Sequence, residues 1–597
     1  MHDLPFTLTA LRAAYAADVR PEDVVLEAYR RIAAVDDPGI FIDLFDIEDV
    51  LEQARRLGPF DPARPLWGIP FAVKDNIDVA GRRTTAACPV YAYEAETDAF
   101  VVSPLKAAGA IAIGTTNLDQ FATGLVGVRA PWPGPLNAGD PAIVPGGSSS
   151  GSAVAVGHGL VCFALGTDTA GSGRVPAALN NIVGLKPSLG ALSASGVVPA
   201  CRTLDTISIF ALTVEDAHAI FVVAAVHDGD DAFARPTKVA PLSPLPPRFR
   251  VAIPDDSSIE FFGDEAQAAS FATDVELLRA AGAEIVPVDF KPFHDVAEML
   301  YRGAWVAERY TVIEKLLTCN PDAIHPVTRQ IIKAAEGQSA ADAFRGIYRL
   351  KELRAVADGI VANVDMLCVP TIPTFYTVSD LTRDPVEPNS NLGTYTNFVN
   401  LMDLCGIAVP TAPRRDGRPG SVTLLGKAGR DGWLASVALA LERHGQMGAT
   451  GFDRPDAAPR MAMPGPGEMA IAVCGAHMSG LPLNPQLSSR GGRFLEATVT
   501  AAEYRLYALD GGPPARPGLI RDTEAGASVP VEIWALPEGE VGSFLAGIPA
   551  PLGLGTVTLV DGRTVTGFIC EFAGLAGARE LDPAAGWRGF LAARQAG

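Results

Sequence analysis

Two serine- and glycine-rich turns flank an apolar run of small residues, Ser152 to Leu165. The first is Gly146-Gly147-Ser148-Ser149-Ser150-Gly151 and the second is Gly166-Thr167-Asp168-Thr169-Ala170-Gly171-Ser172-Gly173-Arg174. Upstream stands a lone lysine, Lys74, inside Gly68-Ile69-Pro70-Phe71-Ala72-Val73-Lys74-Asp75. A serine becomes a nucleophile when a base takes its proton, and a second serine can pass that proton to a neutral lysine. Burial without a paired carboxylate lowers a lysine pKa and supplies the neutral form. Glycines permit positive φ, so the amides of Thr169, Ala170, Gly171 and Ser172 can converge on an oxyanion. Such donors are typically worth about 3–4 kcal/mol each.

Each element also has an ordinary reading. A Gly-Ser run is commonly a flexible linker, but the stretch Ala153 to Leu165 reads as a core segment, which linkers seldom enter directly. An isolated lysine is commonly solvated, yet Ile69 to Val73 give Lys74 an apolar setting. Gly147-Ser148-Ser149-Ser150-Gly151 also satisfies the nucleophile-elbow pattern with Ser149 as nucleophile. That motif must follow a buried strand, and Pro133 to Pro145 is rich in proline and glycine. Gly166 to Gly171 has phosphate-loop spacing without the Lys-Ser/Thr ending that holds phosphate and magnesium.

In order and content, the segments from Leu66 to Ser188 resemble the amidase signature family. The resemblance implies Ser172 as nucleophile, Ser148 as the bridging serine after a cis peptide bond, and Lys74 as general base. It implies an α/β fold, a layered domain with a mixed sheet covered by helices. No cofactor and no metal is expected.

The elements that must position these groups read as follows. At 597 residues the chain exceeds a single core. A hydrophobic content of 48% and a charged content of 19% indicate an ordinary globular protein. The net charge of −20 argues against nucleic acid or an anionic membrane as partner. No apolar run is long enough to span a bilayer, and the amino terminus shows no secretory signal, so a cytoplasmic setting is expected. Eight scattered cysteines without a Cys-x-x-Cys pair read as reduced core residues.

Thr7 to about Leu57 reads as amphipathic helices. Strand-like runs follow at Ile69–Val73, Ala110–Ile113, Arg250–Pro254 and Ala283–Val288, alternating with helices such as Val101–Ala108 and Glu265–Ala281. Pro241–Pro247 reads as a surface connection within this region, and Val296 to about Val361 as mostly helical. Val364–Val369 reads as a strand or a buried helix tail. The predicted domains are 1–450, a linker 451–467 rich in glycine and proline, and a smaller β-rich α+β domain 468–597. Its strands are expected at Met469–Cys474, Tyr504–Leu509, Val529–Ala535, Gly555–Val560 and Thr564–Cys570.

Further segments resemble the allophanate hydrolase branch of that family. These are Asn117–Gly127, Gly171–Ala177, Leu300–Tyr310, Thr394–Leu401 and the carboxy-terminal Gly475-Ala476-His477-Met478-Ser479-Gly480. The resemblance implies hydrolysis of allophanate, a small anion, to ammonia and carbon dioxide, and a functional link to urea carboxylase. By the same analogy Tyr301 and Arg309 bind the substrate; eight residues apart, they would share one helix face. A surface ion pair for Arg309 stays open. Arg174 is a second candidate, with a structural role beside the nucleophile equally open. His477 is the candidate for acting on the N-carboxycarbamate product, against a purely structural histidine. A broader amidase or an amidotransferase subunit with a carboxy-terminal docking domain is the alternative, and homo-oligomerisation is left open.

Overall fold

The computed structural model describes residues 3–442, 445–455 and 463–596, in two compact units. Residues 456–462 of the expected linker, and Met1 and His2 of the amino-terminal reading, lie outside the described residues.

Unit one is built on an eleven-stranded mixed sheet. Its strands are β1 (Phe41–Leu44), β2 (Pro70–Lys74), β3 (Ile111–Thr116), β4 (Phe163–Asp168), β5 (Val183–Lys186), β6 (Thr206–Ala211), β7 (Phe249–Pro254), β8 (Ala283–Val288), β9 (Met366–Pro370), β10 (Leu404–Thr411) and β11 (Gly420–Lys427). They lie in the order β1-β3-β2-β4-β6-β5-β10-β11-β9-β7-β8. β2 runs parallel to both β3 and β4, whereas β4–β6 and β10–β11 are antiparallel. All residues of β2, β3, β4 and β6 are buried, which is why they read as continuous apolar runs without alternation. Pro70 opens β2, where a missing N–H interrupts no ladder interior.

Between β3 and β4 the chain enters helix α1 (Ser150–Gly157), every residue of which is buried. Its small side chains let it lie close to neighbouring backbone. A Cβ on Gly151 would stand 2.2 Å from the Ile40 carbonyl oxygen and 2.6 Å from the Asn117 nitrogen. The run that reads as a core segment is thus a buried helix followed by a central strand. The predicted α/β class with a mixed sheet is what the chain adopts.

The structure refines the sequence expectation at three places. The amino-terminal helices Leu8–Ala16, Pro21–Val35 and Ile47–Arg56 are interrupted by β1, too short to show a period. Of the two readings of Val364–Val369 the strand holds: β9 starts at Met366, and Pro370 is its last residue. The helical region splits into α2 (Lys291–Arg302), α3 (Trp305–Cys319), Pro326–Lys333 and α4 (Ala340–Val361). α2 ends at Gly303, whose extended backbone (φ −106°, ψ −165°) cannot continue a helix.

Unit two comprises residues 240–250, 279–284 and the described part of 458–597, so Pro241–Pro247 clusters here. It carries β12 (Glu468–Val473), β13 (Arg493–Val499), β14 (Tyr504–Leu509), β15 (Arg516–Arg521), β16 (Pro530–Pro537), β17 (Leu552–Thr558), β18 (Thr564–Cys570) and β19 (Arg579–Glu580). Five form one sheet in the order β13-β16-β12-β18-β17, and β15-β14-β19 form a second. The helix α5 (Gly586–Ala596) closes the chain. β13 and β15 were not legible in sequence because Glu496 interrupts the apolar pattern of the first, where its register shifts, and arginine, proline and glycine open the second. The core gathers Ile471, Leu506, Ile533, Trp534 and Trp587, among others.

Among the described residues, no helix is long and apolar enough to cross a membrane. Seven of the eight cysteines are buried and Cys319 is exposed.

Candidate active site

β2 and β4 are adjacent parallel strands, so their carboxy-terminal ends bring Lys74 and Thr167 side by side. The turn before α1 brings in Ser148. Lys74 is fully buried; its Nζ lies 2.8 Å from Ser148 Oγ and 2.7 Å from Thr167 Oγ1. No carboxylate among the described residues lies within salt-bridge distance of it. Burial lowers its pKa from 10.5 to about 7, against the pull of Asp119, Asp205 and Asp168. Near neutral pH a large fraction is therefore unprotonated amine, the state that can accept a serine proton.

Ser148 follows a cis peptide bond, Gly147–Ser148. Its carbonyl accepts the amide of Asp119 at 3.0 Å. The Asp119 carboxylate in turn accepts the amides of Val126, Gly127 and Arg129. One acidic side chain thus ties the bridging serine's turn to the loop from Gly124 to Arg129. Ser149 bonds the backbone of Thr167 in both directions, at 3.1 and 3.3 Å. It is a structural clamp, and no strand precedes it after β3, so the nucleophile-elbow reading fails.

Ser172 is buried, and its hydroxyl donates a long hydrogen bond, 3.5 Å, to the Gly124 carbonyl. Among the described residues there is no hydrogen bond between the Ser148 and Ser172 hydroxyls. The turn around Ser172 is shaped by Asp168. Its carboxylate accepts the amides of Gly171 and Gly173 at 3.0 Å each. It also takes a bidentate pair from Arg174, both contacts at 2.9 Å. A buried carboxylate at this place removes the phosphate-loop reading, because it repels a phosphate.

Two expectations change in consequence. Gly171, counted among the oxyanion donors, gives its N–H to Asp168. The amides of Thr169, Ala170 and Ser172 are left without an acceptor among the described residues. Arg174 turns Nε and Nη2 to Asp168, and Nη2 also to the Thr396 carbonyl 3.2 Å away, which braces the turn; its Nη1 has no hydrogen-bond partner among the described residues. Gly171 itself, at φ +123°, packs against Thr396, where a Cβ would come within 2.3 Å of the hydroxyl oxygen.

Tyr301 and Arg309 do not share a helix: Tyr301 lies in the last turn of α2 and Arg309 in α3. The break folds them together. Arg309 Nη2 is 3.4 Å from the Tyr301 hydroxyl, and the guanidinium stands over the tyrosine ring at 5.1 Å. Arg309 is buried, with Nη1 donating to the Ala122 carbonyl (3.5 Å) and to Thr123 Oγ1 (3.2 Å). No carboxylate lies within ion-pair distance among the described residues, so the surface ion-pair reading fails. Ala122, Thr123 and Gly124 therefore hold the arginine on one side and Ser172 on the other. Phe121 and Ala122 both adopt positive φ, 51° each. Non-glycine residues do so at a cost, and such residues gather at binding sites.

His477 belongs to unit two. It is stacked on Phe568 at 4.9 Å, meets Phe544 edge-on at 5.2 Å, and is 3.0 Å from Gln486 Oε1. Burial lowers its pKa. It lines a cavity of about 180 Å³ whose wall includes Leu483, Gln486, Arg516, Pro517, Ile548 and Phe568. Arg516 has no ion-pair partner among the described residues. Thr167, Asp168 and Arg516 were missed in the sequence. Thr167 and Asp168 sit in a motif already singled out; Arg516 carries no local signal.

Residues 23–434 match the Amidase family, and residues 469–592 match the Allophanate hydrolase C-terminal domain. The chain is 44% identical over 522 residues to the urea amidolyase of Lachancea kluyveri, covering 85% of this chain and 28% of that protein. It therefore spans less than a third of that longer relative. The solved Kluyveromyces lactis allophanate hydrolase superposes with a TM-score of 0.78 at 38% identity, covering 98% of this chain and 99% of that one. A glutamyl-tRNA(Gln) amidotransferase subunit from Nitratidesulfovibrio vulgaris is 32% identical, covering 73% of this chain and 96% of its own.

Proposed function

The chain belongs to the amidase family, and on that premise we propose that it hydrolyses allophanate through an acyl-enzyme on Ser172. The observation that carries this reading is a buried, carboxylate-free Lys74 hydrogen-bonded to Ser148. The division 1–450, 451–467 and 468–597 enters the proposal as hydrolytic domain, linker and product-processing domain.

In the first step Ser172 Oγ attacks the terminal amide carbonyl, and its proton passes through Ser148 to Lys74. The amides of Thr169 and Ala170, joined by Ser172, stabilise the oxyanion. The proton returns along the relay to the leaving nitrogen, which departs as ammonia. Water then cleaves the ester by the reverse relay and frees Ser172 with N-carboxycarbamate. The allophanate carboxylate is held by Arg309, which offers paired donors and lacks an anion of its own, with Tyr301 beside it. The Arg174 guanidinium, paired with Asp168, enters the proposal as a brace for this turn.

The product is a dianion that loses carbon dioxide once its nitrogen is protonated, leaving carbamate. His477, held against Gln486 in a cavity containing an unpaired Arg516, is suited to that step. Matches to a urea amidolyase, and the length of chain it has beyond this one, support a functional link to a urea carboxylase. The amidotransferase alternative is weakened by the match of residues 469–592 to the Allophanate hydrolase C-terminal domain.

The test is product analysis with allophanate. Ammonia release should vanish in Ser172→Ala; ammonia release that survives this change would remove the proposal.

A further inference from the structure

The loop Ala200–Asp205 touches neither serine nor lysine, yet it joins two parts of the site. Asp205 closes this loop on itself: its N–H donates to the Cys201 carbonyl at 2.8 Å. Its carboxylate accepts the amides of Ala200 (2.8 Å) and Cys201 (3.1 Å). The same carboxylate accepts the Thr169 hydroxyl at 2.5 Å, gripping the turn that carries the free amides. Asn400 adds a second tie, donating to the carbonyls of both Asp168 and Leu204 at 2.8 Å.

The other side of the loop meets α3. Thr203 donates its N–H (2.6 Å) and its hydroxyl (2.7 Å) to the carboxylate of Glu308. Cys201 Sγ lies 3.7 Å from the Trp305 carbonyl. The next residue after Glu308 is Arg309. A single buried carboxylate therefore sets a loop whose two faces carry the oxyanion turn and the first turns of the arginine helix.

We infer that Asp205 is a positioning residue of the amide-cleaving site, fixing the oxyanion turn through Thr169 and the Arg309 helix through the loop it closes. This rests on the hydrolase reading given above. A hydrogen-bonded turn a few tenths of an ångström out of place loses aim at the developing charge, and small misplacements of this kind cost large rate factors. Asp205 also acts by charge. Together with Asp119 and Asp168 it favours the ammonium form of Lys74, which Arg309 opposes.

The test uses the full chain with allophanate, following kcat, KM and the pH profile. Asp205→Asn keeps the shape, removes the charge and turns an amino group toward the Ala200 amide. It should lower kcat about 10- to 100-fold and raise KM. Because a negative charge near Lys74 is lost, the acid limb of kcat/KM should move to lower pH. Thr169→Val removes the hydroxyl alone and should lower kcat about tenfold without moving that limb. Thr169→Ser should restore kcat. An Asp205→Asn enzyme with kcat within twofold of the parent and an unmoved limb overturns the inference. Should Asp205→Asn not fold, read by thermal melting, an unchanged kcat in Thr169→Val overturns it equally. Ser172→Ala separates the two levels: if it is inactive while Asp205→Asn is normal, only this inference falls.

Discussion

The lysine site of unit one and the histidine cavity of unit two use opposite means to place a titratable group. Lys74 sits at the end of a central strand, fully buried, beside turns held by hydrogen bonds to Asp168, Asp119 and Asn400. His477 sits on a loop, wedged between Phe544 and Phe568, with one polar partner in a largely apolar wall. In the first, backbone geometry and buried charge fix the chemistry. In the second, aromatic packing fixes a ring and leaves room for a small ligand. The contrast teaches that a turn with aligned amides is built on strands and glycines, whereas a single ring can be placed by aromatic packing alone.

The strongest test of this contrast is Ser172→Ala. It should lower ammonia release from allophanate by about 10⁴-fold or more, because the proposed acyl-enzyme forms on this hydroxyl. His477→Ala should slow carbon dioxide release about 10²-fold while changing release of the first ammonia less than twofold. Equal loss of both products would join the two regions into one site. Arg309→Gln should raise KM about 10- to 100-fold with a smaller change in kcat, because in the proposed function its charge holds the substrate carboxylate in ground and transition states alike. The smallest and sharpest effect concerns pH. Lys74 acts as base only when neutral, so kcat/KM should climb as pH rises through about 7 and level off above it. A limb near 10 would mean that burial does not set the lysine's basicity.

Much of unit one was legible because its signals are local. The glycine-serine turns, the apolar strand before Lys74 and the small-residue run of α1 each carry composition that few structures satisfy. The unit two strands Tyr504–Leu509 and Thr564–Cys570 match their expected limits for the same reason, unbroken β-forming runs. Tyr301 and Arg309 were singled out by resemblance, but their meeting was assigned to one helix face. The helix break at Gly303 places them instead, and no single glycine in a helical stretch announces whether it breaks the helix.

The amino-acid sequence by itself determined the α/β alternation and the core segment from Ser152 to Leu165, through local runs, and it singled out the serine pair and the lysine through the family resemblance of their segments. Only the tertiary structure decided that Thr167 shares the lysine, that Asp168 claims Gly171 and Arg174, and that Arg309 has no ion-pair partner among the described residues. Those outcomes depend on residues 74, 148 and 167 meeting across strands that are adjacent in the sheet but distant in the chain. Strand order and the satisfaction of buried polar groups are properties of the whole fold, and no local stretch encodes them.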